Sequence, residues 1–209
     1  MTHLLAQLVH QFGLVTLFAA VALEAMGIPV PAETALVLLG TYASHAHLWS
    51  PWLVFGVTAV AAVLGDNAGY LLGRYGGWPL LRRYGHVLRL DQRRLKTARY
   101  LFARHGGPVV AGGRFVVVLR TTAAFLAGVN HMPWPRFLVW NLLGGVAWSG
   151  VWTAIAFTVG NQLSSGHGVL GWAAVAVAVA AAIASAVLLR RRWARIADAA
   201  EAAYPGALD

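Results

Sequence analysis

Residues 51–72, 137–159 and 169–189 are almost unbroken apolar runs, and a helix needs about 20 such residues to cross the hydrocarbon core of a bilayer. Runs of this length constrain the fold more than any other feature of the chain. In lipid every backbone amide must find its partner within the protein, so helices are the expected structure. The composition agrees: of 209 residues, 59% are hydrophobic and 11% charged, outside the ordinary range of a water-soluble domain. The absence of cysteine excludes disulfides, thiolate metal ligands and cysteine nucleophiles. The first twenty residues lack the Lys/Arg region and the clean cleavage site of a secretory signal, so the N-terminus is expected to be retained.

The net charge of +9 is not spread evenly. Nine of the sixteen basic residues fall between Arg74 and Arg104, and four more lie in "RRRWAR" at 190–195. Blocks of this kind beside apolar spans follow the positive-inside rule, with anionic lipid headgroups as the electrostatic partner. Neither block carries a groove-reading motif, so no nucleic acid is expected as a partner.

Two further apolar segments do not behave as simple spans. Residues 4–42 are too many for one helix and are broken by Gly27, Pro29 and Pro31, while 108–129 contains two arginines and a glycine pair. If the basic blocks are cytoplasmic, then 44–50 and 160–168, neither with any Lys or Arg, belong on the opposite side. The segment 108–129 then enters and leaves on one face, which makes it a re-entrant hairpin. Non-helical backbone at that depth requires cover from protein or a wet cavity. Residues 14–42 read as a second hairpin from the other side, although the first arm can instead be read as crossing the membrane. Gly40 precedes Gly73 by 33 residues and Gly128 precedes Gly160 by 32, a weak echo of an inverted repeat of the kind found in transporters.

The expected fold is therefore an all-α integral membrane protein, with one domain over 1–195 and a cytoplasmic tail at 196–209. Its parts are a hairpin at 14–42, a span at 51–72, a hairpin at 108–129 and spans at 137–159 and 169–189. A cytoplasmic helix over 91–105, capped by Asp91 and ended by Gly106 and Gly107, is expected to lie on the interface. A solvated charged linker is the alternative there.

Three of the seven acidic residues, Glu24, Glu33 and Asp66, lie in apolar segments. An ionisable group near the bilayer centre costs at least ~2.5–3.5 kcal/mol, so it usually faces a partner or a water-filled cavity. In "EAMGIPVPAE" at 24–33, Pro29 and Pro31 push Ile28 and Val30 out of the helical region. Glu24 then ends one helix and Glu33 begins the next, in the first turn where the helix dipole favours a negative charge. The plainer alternative is that Glu33 caps a helix and Glu24 snorkels. Asp66 sits beside Gly65, Gly69 and Gly73, whose four-residue spacing allows close helix approach.

The candidate cationic partners are Arg114 and Arg120, six residues apart in "GGRFVVVLRT". That spacing needs a broken backbone to aim both at one place, which Gly112 and Gly113 make feasible. Arginine stays charged and presents a planar fork suited to carboxylate or phosphate. Structural ion pairing and phosphate binding both remain open for these two.

The acid-to-acid hairpin, the helix "GDNAGYLLGRYGG", the "FARHGG" at 102–107 and "GRFVVVLRTTAAFLAG" together resemble the DedA membrane proteins, also called the SNARE-associated or VTT-domain family. The match runs over about residues 10–160. One position departs: the family usually has a proline between the two arginines where this chain has Val117, so Gly112 and Gly113 would have to supply the bend. The resemblance implies a multi-pass protein of the bacterial cytoplasmic membrane whose two re-entrant hairpins face each other. It also implies movement of phospholipids or polyprenyl phosphates between leaflets, often with dependence on the proton gradient. It makes Glu24 and Glu33 the acidic pair and Arg114 and Arg120 the essential arginines, with Asp66 and Arg74 at further motif positions.

The resulting expectation is a non-enzymatic lipid-phosphate flippase, with protonation of Glu24 or Glu33 freeing the arginines for a phosphate such as that of undecaprenyl phosphate. Membrane lipids and protons are the expected partners, a homo-oligomer is allowed, and no cofactor or metal is expected. Two alternatives stand beside it. One is a proton-coupled exporter of small ions or drugs. The other is a membrane lipid phosphatase, for which His45, His47, His86, His105, His131 and His167, placed in loops and segment ends, offer no helical pairing with a carboxylate.

Overall fold

The computed structural model describes residues 2–84, 96, 97, 100, 102, 104, 106–115, 117–120, 122–165, 198, 202 and 203. The helices among them are α1 (Thr2–Met26), α2 (Ala32–His45), α3 (Pro51–Tyr84), α4 (Gly107–Gly113), α5 (Val117–Arg120), α6 (Ala123–Val129) and α7 (Trp134–Ser165). No strand occurs among the described residues. The span expected at 169–189 lies outside them, as do most of the interfacial helix expected at 91–105 and most of the 196–209 tail.

Two helices, Pro51–Gly77 and Trp134–Gln162, are long and apolar enough to cross a membrane. Each outruns its expected span. Leaving the apolar core does not end a helix, because arginine and leucine remain good helix formers. In α3 the chain breaks only at Gly77, with φ 46° and ψ −145°, a left-handed value that glycine adopts without steric cost. Val60, Leu64 and Leu71 on α3 and Val139, Leu143 and Val146 on α7 are exposed. A belt of large apolar side chains on both helices is what a lipid-facing surface requires.

The first hairpin differs from expectation in its first arm, which begins at Thr2 rather than near residue 14. Residues 2–13 carry leucine, alanine and glutamine beside a few polar positions, and helix propensity continues through polar residues that an apolar count excludes. At the tip, Gly27 (φ 112°) closes α1. Its N–H bonds the Glu24 carbonyl and the Ile28 N–H bonds that of Leu23, both at 3.0 Å, the paired pattern of a Schellman cap. Two i→i+2 bonds follow, Val30 to Ile28 at 2.8 Å and Ala32 to Val30 at 2.9 Å. These are γ-turns, the compact non-helical route that Pro29 and Pro31 impose.

Contacts along the helices give their directions. Asn67 of α3 lies against Trp134 of α7, Val63 against Asn141, and Phe55 against Gly150. α3 and α7 are therefore antiparallel. α1 runs parallel to α3, since Gly65 meets Ala22 and Ala25 while Gly69 meets Met26. α4 runs parallel to α7, with Gly106, Gly107 and Gly144 against Arg136, Trp140 and Ala111. Each first arm thus packs along the long helix of its own half.

The second arms cross over. α2 packs on α7, with Gly40 against Ala156 and Gly160 against Thr41 and Ser44. α6 packs on α3, with Gly73 against Phe125 and Gly128 against Tyr70 and Arg74. The four glycines of the weak repeat therefore occupy matching crossings in two oppositely directed halves. Both second arms also end alike, in Schellman caps completed by Leu48 N–H to Ala43 at 2.9 Å and Met132 N–H to Ala127 at 3.0 Å. In each cap a histidine, His47 (φ 50°) or His131 (φ 52°), takes the left-handed position usually given to glycine.

Candidate functional site

The hairpin tips converge between the two long helices. α4 ends at Gly113, a turn follows at Arg114 and Phe115, and α5 is one helical turn from Val117 to Arg120. This break lets two arginines six residues apart face one region. Neither Gly112 nor Gly113 has a positive φ, unlike Gly27, Gly77 and Gly106. The bend at Arg114 therefore does not draw on left-handed glycine conformations.

Arg114 is buried, with its side chain 8% exposed, and pairs with Asp66, whose side chain is 5% exposed. The same guanidinium nitrogen reaches the Ala62 carbonyl at 3.1 Å and the Asn141 side-chain oxygen at 2.9 Å. Asn141 in turn donates to the Val63 carbonyl at 3.2 Å. Arg114 thereby joins α4 to α3 and α7 at once. A methyl group on Gly145 would lie 3.8 Å from this guanidinium, in ordinary contact with it, and 3.1 Å from the Val63 side chain.

Arg120 is more accessible, at 22%. It is paired with both Glu24, on the last turn of α1, and Glu33, on the first turn of α2. The break at 27–31 lets both carboxylates reach one guanidinium. Together the five groups carry three negative charges against two positive, so with all ionised the cluster is one charge negative. Burying such an imbalance is costly, and a proton or a cation relieves it.

A cavity of about 20 Å³, bounded by Val21, Glu24, Asp66, Arg114, Arg120 and Trp148, adjoins the cluster. That volume is about what one water fills. In this conformation the carboxylates are paired with the arginine guanidinium groups.

Arg74 lies apart. Its guanidinium donates to the Tyr70 hydroxyl at 3.0 Å, while Tyr70 donates to the Met132 carbonyl and stacks on Phe137 at 4.4 Å. It stands eight residues beyond Asp66 on α3, about 12 Å along the axis, and supports the Tyr70 hydroxyl that ties α3 to the residues following α6. The three glycines of the α3 face meet different neighbours, with Gly65 receiving α1, Gly69 lying between Met26 and Ala124, and Gly73 receiving α6.

Sequence reasoning missed Asn141 and Trp148. An amide in an apolar span is a signal of the same kind as Asp66, since polar side chains within membrane helices are commonly hydrogen-bonded across helices. Trp148 carried no such mark; only packing brings it to the cavity.

Comparison with known proteins gives this geometry a setting. Residues 30–158 match the model of the VTT domain. An uncharacterized membrane protein of Mycobacterium tuberculosis is 38% identical over 189 residues, covering 89% of this chain and 87% of that protein. One of Synechocystis is 38% identical over 160 residues, covering 77% of this chain and 73% of its own length. Undecaprenyl phosphate transporter A of Bacillus subtilis is 27% identical over 158 residues, covering 74% of this chain and 77% of that protein. No solved structure matches the chain at a significant level.

Proposed function

We propose, from the premise that this chain belongs to the VTT-domain (DedA) family of membrane proteins, that it moves a lipid phosphate, such as undecaprenyl phosphate or a phospholipid, between leaflets in exchange with protons. The observation that carries the reading is Arg120 held by two carboxylates beside a small cavity. A guanidinium fork accepts carboxylate and phosphate oxygens with the same geometry. Glu24 and Glu33 therefore occupy the place a phosphate would take. Protonating them removes the competing charge and frees the fork, and losing the proton expels the phosphate again.

The hairpins suit alternating access. We read both hairpins as re-entrant, closing the cavity from opposite sides of the cytoplasmic membrane, a reading supported by the antiparallel α3 and α7 and by the matching crossings of the two second arms. The name of the Bacillus relative supports a polyprenyl phosphate as cargo. The reading needs no nucleophile beside the arginines.

Reconstituted vesicles test it. The protein should speed leaflet exchange of undecaprenyl phosphate but not of neutral undecaprenol. Arg120→Gln should slow the phosphate exchange by about 10- to 100-fold, from loss of charged hydrogen bonds of about 1.5–3 kcal/mol. Full exchange by Arg120→Gln, at normal protein level, would show that this arginine does not grip the phosphate. Cation or drug flux without lipid exchange would favour a small-solute antiporter instead.

A further inference from the structure

Ser149 and Thr153 are buried in α7, at 0% and 4% exposure, and neither hydroxyl oxygen has a hydrogen-bond partner within the chain. Buried polar groups in native proteins are met by protein or by ordered water. Within an apolar helix the usual recourse of such a hydroxyl is the carbonyl one turn back. Thr58 of α3 takes that recourse, at 2.8 Å from the Val54 carbonyl and 3.0 Å from that of Phe55. Ser149 and Thr153 do not.

Their positions give these hydroxyls a direction. Steps of four residues trace one slowly turning row along a helix, shifting about 40° per step, and Asn141, Gly145, Ser149 and Thr153 form such a row. Its first member accepts a hydrogen bond from Arg114 and its second lies beside that guanidinium. Beyond Thr153 the polar contacts continue at the α2–α7 crossing, where Thr41 donates to the Ala156 carbonyl at 3.1 Å and Ser44 to the Asn161 side chain at 2.7 Å. On the other side of the cluster, Tyr70, Val110, Met132 and Phe137 pack into an apolar core.

We infer that Ser149 and Thr153 line a water-holding half-path, open toward the Ser44–Asn161 end of the bundle and ending at the charged cluster. Apolar side chains such as Leu17, Leu36, Val54, Ala156 and Phe157 pack on this side too, but the unpartnered hydroxyls run through it toward the arginines and carboxylates, whereas the Tyr70–Phe137 core on the other side holds no buried unpartnered hydroxyl among the described residues. The inference concerns water access and is independent of the cargo, so failure of the Arg120 test would leave it standing.

The chain has no cysteine, so Ser149→Cys and Thr153→Cys each supply a single reporter thiol. Val146→Cys and Val151→Cys, at exposed positions of the same helix (47% and 48%), supply lipid-facing controls. In vesicles a small membrane-impermeant thiosulfonate should modify the first pair at least about tenfold faster than the controls, because only a hydrated thiol ionises to the reactive thiolate. Reaction should come from the side on which α3 begins. Thr41→Cys, nearer the open end, serves as a third reporter if either variant fails to fold. Rates no faster than the controls would overturn the half-path, and so would reaction from the opposite side alone.

Discussion

Asp66→Ala is expected to lower stability by about 3–5 kcal/mol, the cost of leaving one member of a buried ion pair without its partner. The reason lies in an asymmetry between the two arginines. Arg114 has Asp66 as its paired acid, and its side chain is 8% exposed. Arginine cannot shed its proton, so removing Asp66 strands a permanent charge between α3, α4 and α7. Arg120 has two acids, and either Glu24→Gln or Glu33→Gln leaves it paired with the other. Those two variants should therefore unfold within about 1–2 kcal/mol of the parent, a typical cost for one lost hydrogen bond or weakened pair. Combining Asp66→Ala with Arg114→Met removes both charges, and the double variant should recover most of the lost stability while transport stays absent. Thermal unfolding in detergent reads all of these. A double variant no more stable than Asp66→Ala alone would show that the stranded charge is not the cause.

Gly73→Leu and Gly128→Leu should each separate α6 from α3 and deplete the folded protein. A Cβ on Gly73 would lie 2.0 Å from the Phe125 carbonyl oxygen, and one on Gly128 would lie 2.1 Å from that of Tyr70. Ordinary contact begins near 3.4 Å. The obstructing atoms are backbone, so no side chain can swing aside and the helices themselves must part. Overpacking typically costs about 1–3 kcal/mol, and even the alanine variants should reach the upper end of that range here. Gly112→Ala is the contrast: nothing lies within 4 Å of its Cβ, and alanine's higher helix propensity makes the change neutral or stabilising by up to ~1 kcal/mol. Comparable yields and unfolding midpoints for Gly73→Leu and Gly112→Ala would contradict this account of the crossing.

The long helices were legible because continuous apolar runs carry their own signal. Their ends were not, since α3 continues to Tyr84 through residues whose charge reads as loop but whose propensity stays helical. The break between Glu24 and Glu33 was legible from Pro29 and Pro31, because proline acts on its own neighbours. The extra turns of α1 before residue 14 were hidden by the polar residues among them. Glu24, Glu33, Asp66, Arg114 and Arg120 all stood out as charges in apolar surroundings, and the fold brings all five together. Which acid takes which arginine depends on the crossing of α4 against α3, a long-range fact that no local spacing encodes. Arg74 shares the motif yet faces Tyr70, because eight residues along a helix outdistance any side chain.

The crossing of each second arm onto the opposite half also sets an order of events during synthesis. α2 finds its packing surface on α7, with contacts such as Thr41 to Ala156 separated by 115 residues, and Glu24 meets Arg120 only 96 residues later. At a ribosomal rate of about 5–20 residues per second, the first hairpin waits roughly 5–20 s for its arginine and longer for its packing partner. Throughout that interval two carboxylates and an uncovered glycine face must be sheltered by the insertion machinery or by lipid. Assembly of the first half is therefore completed by the second, and the nascent chain passes through its least protected state midway through translation.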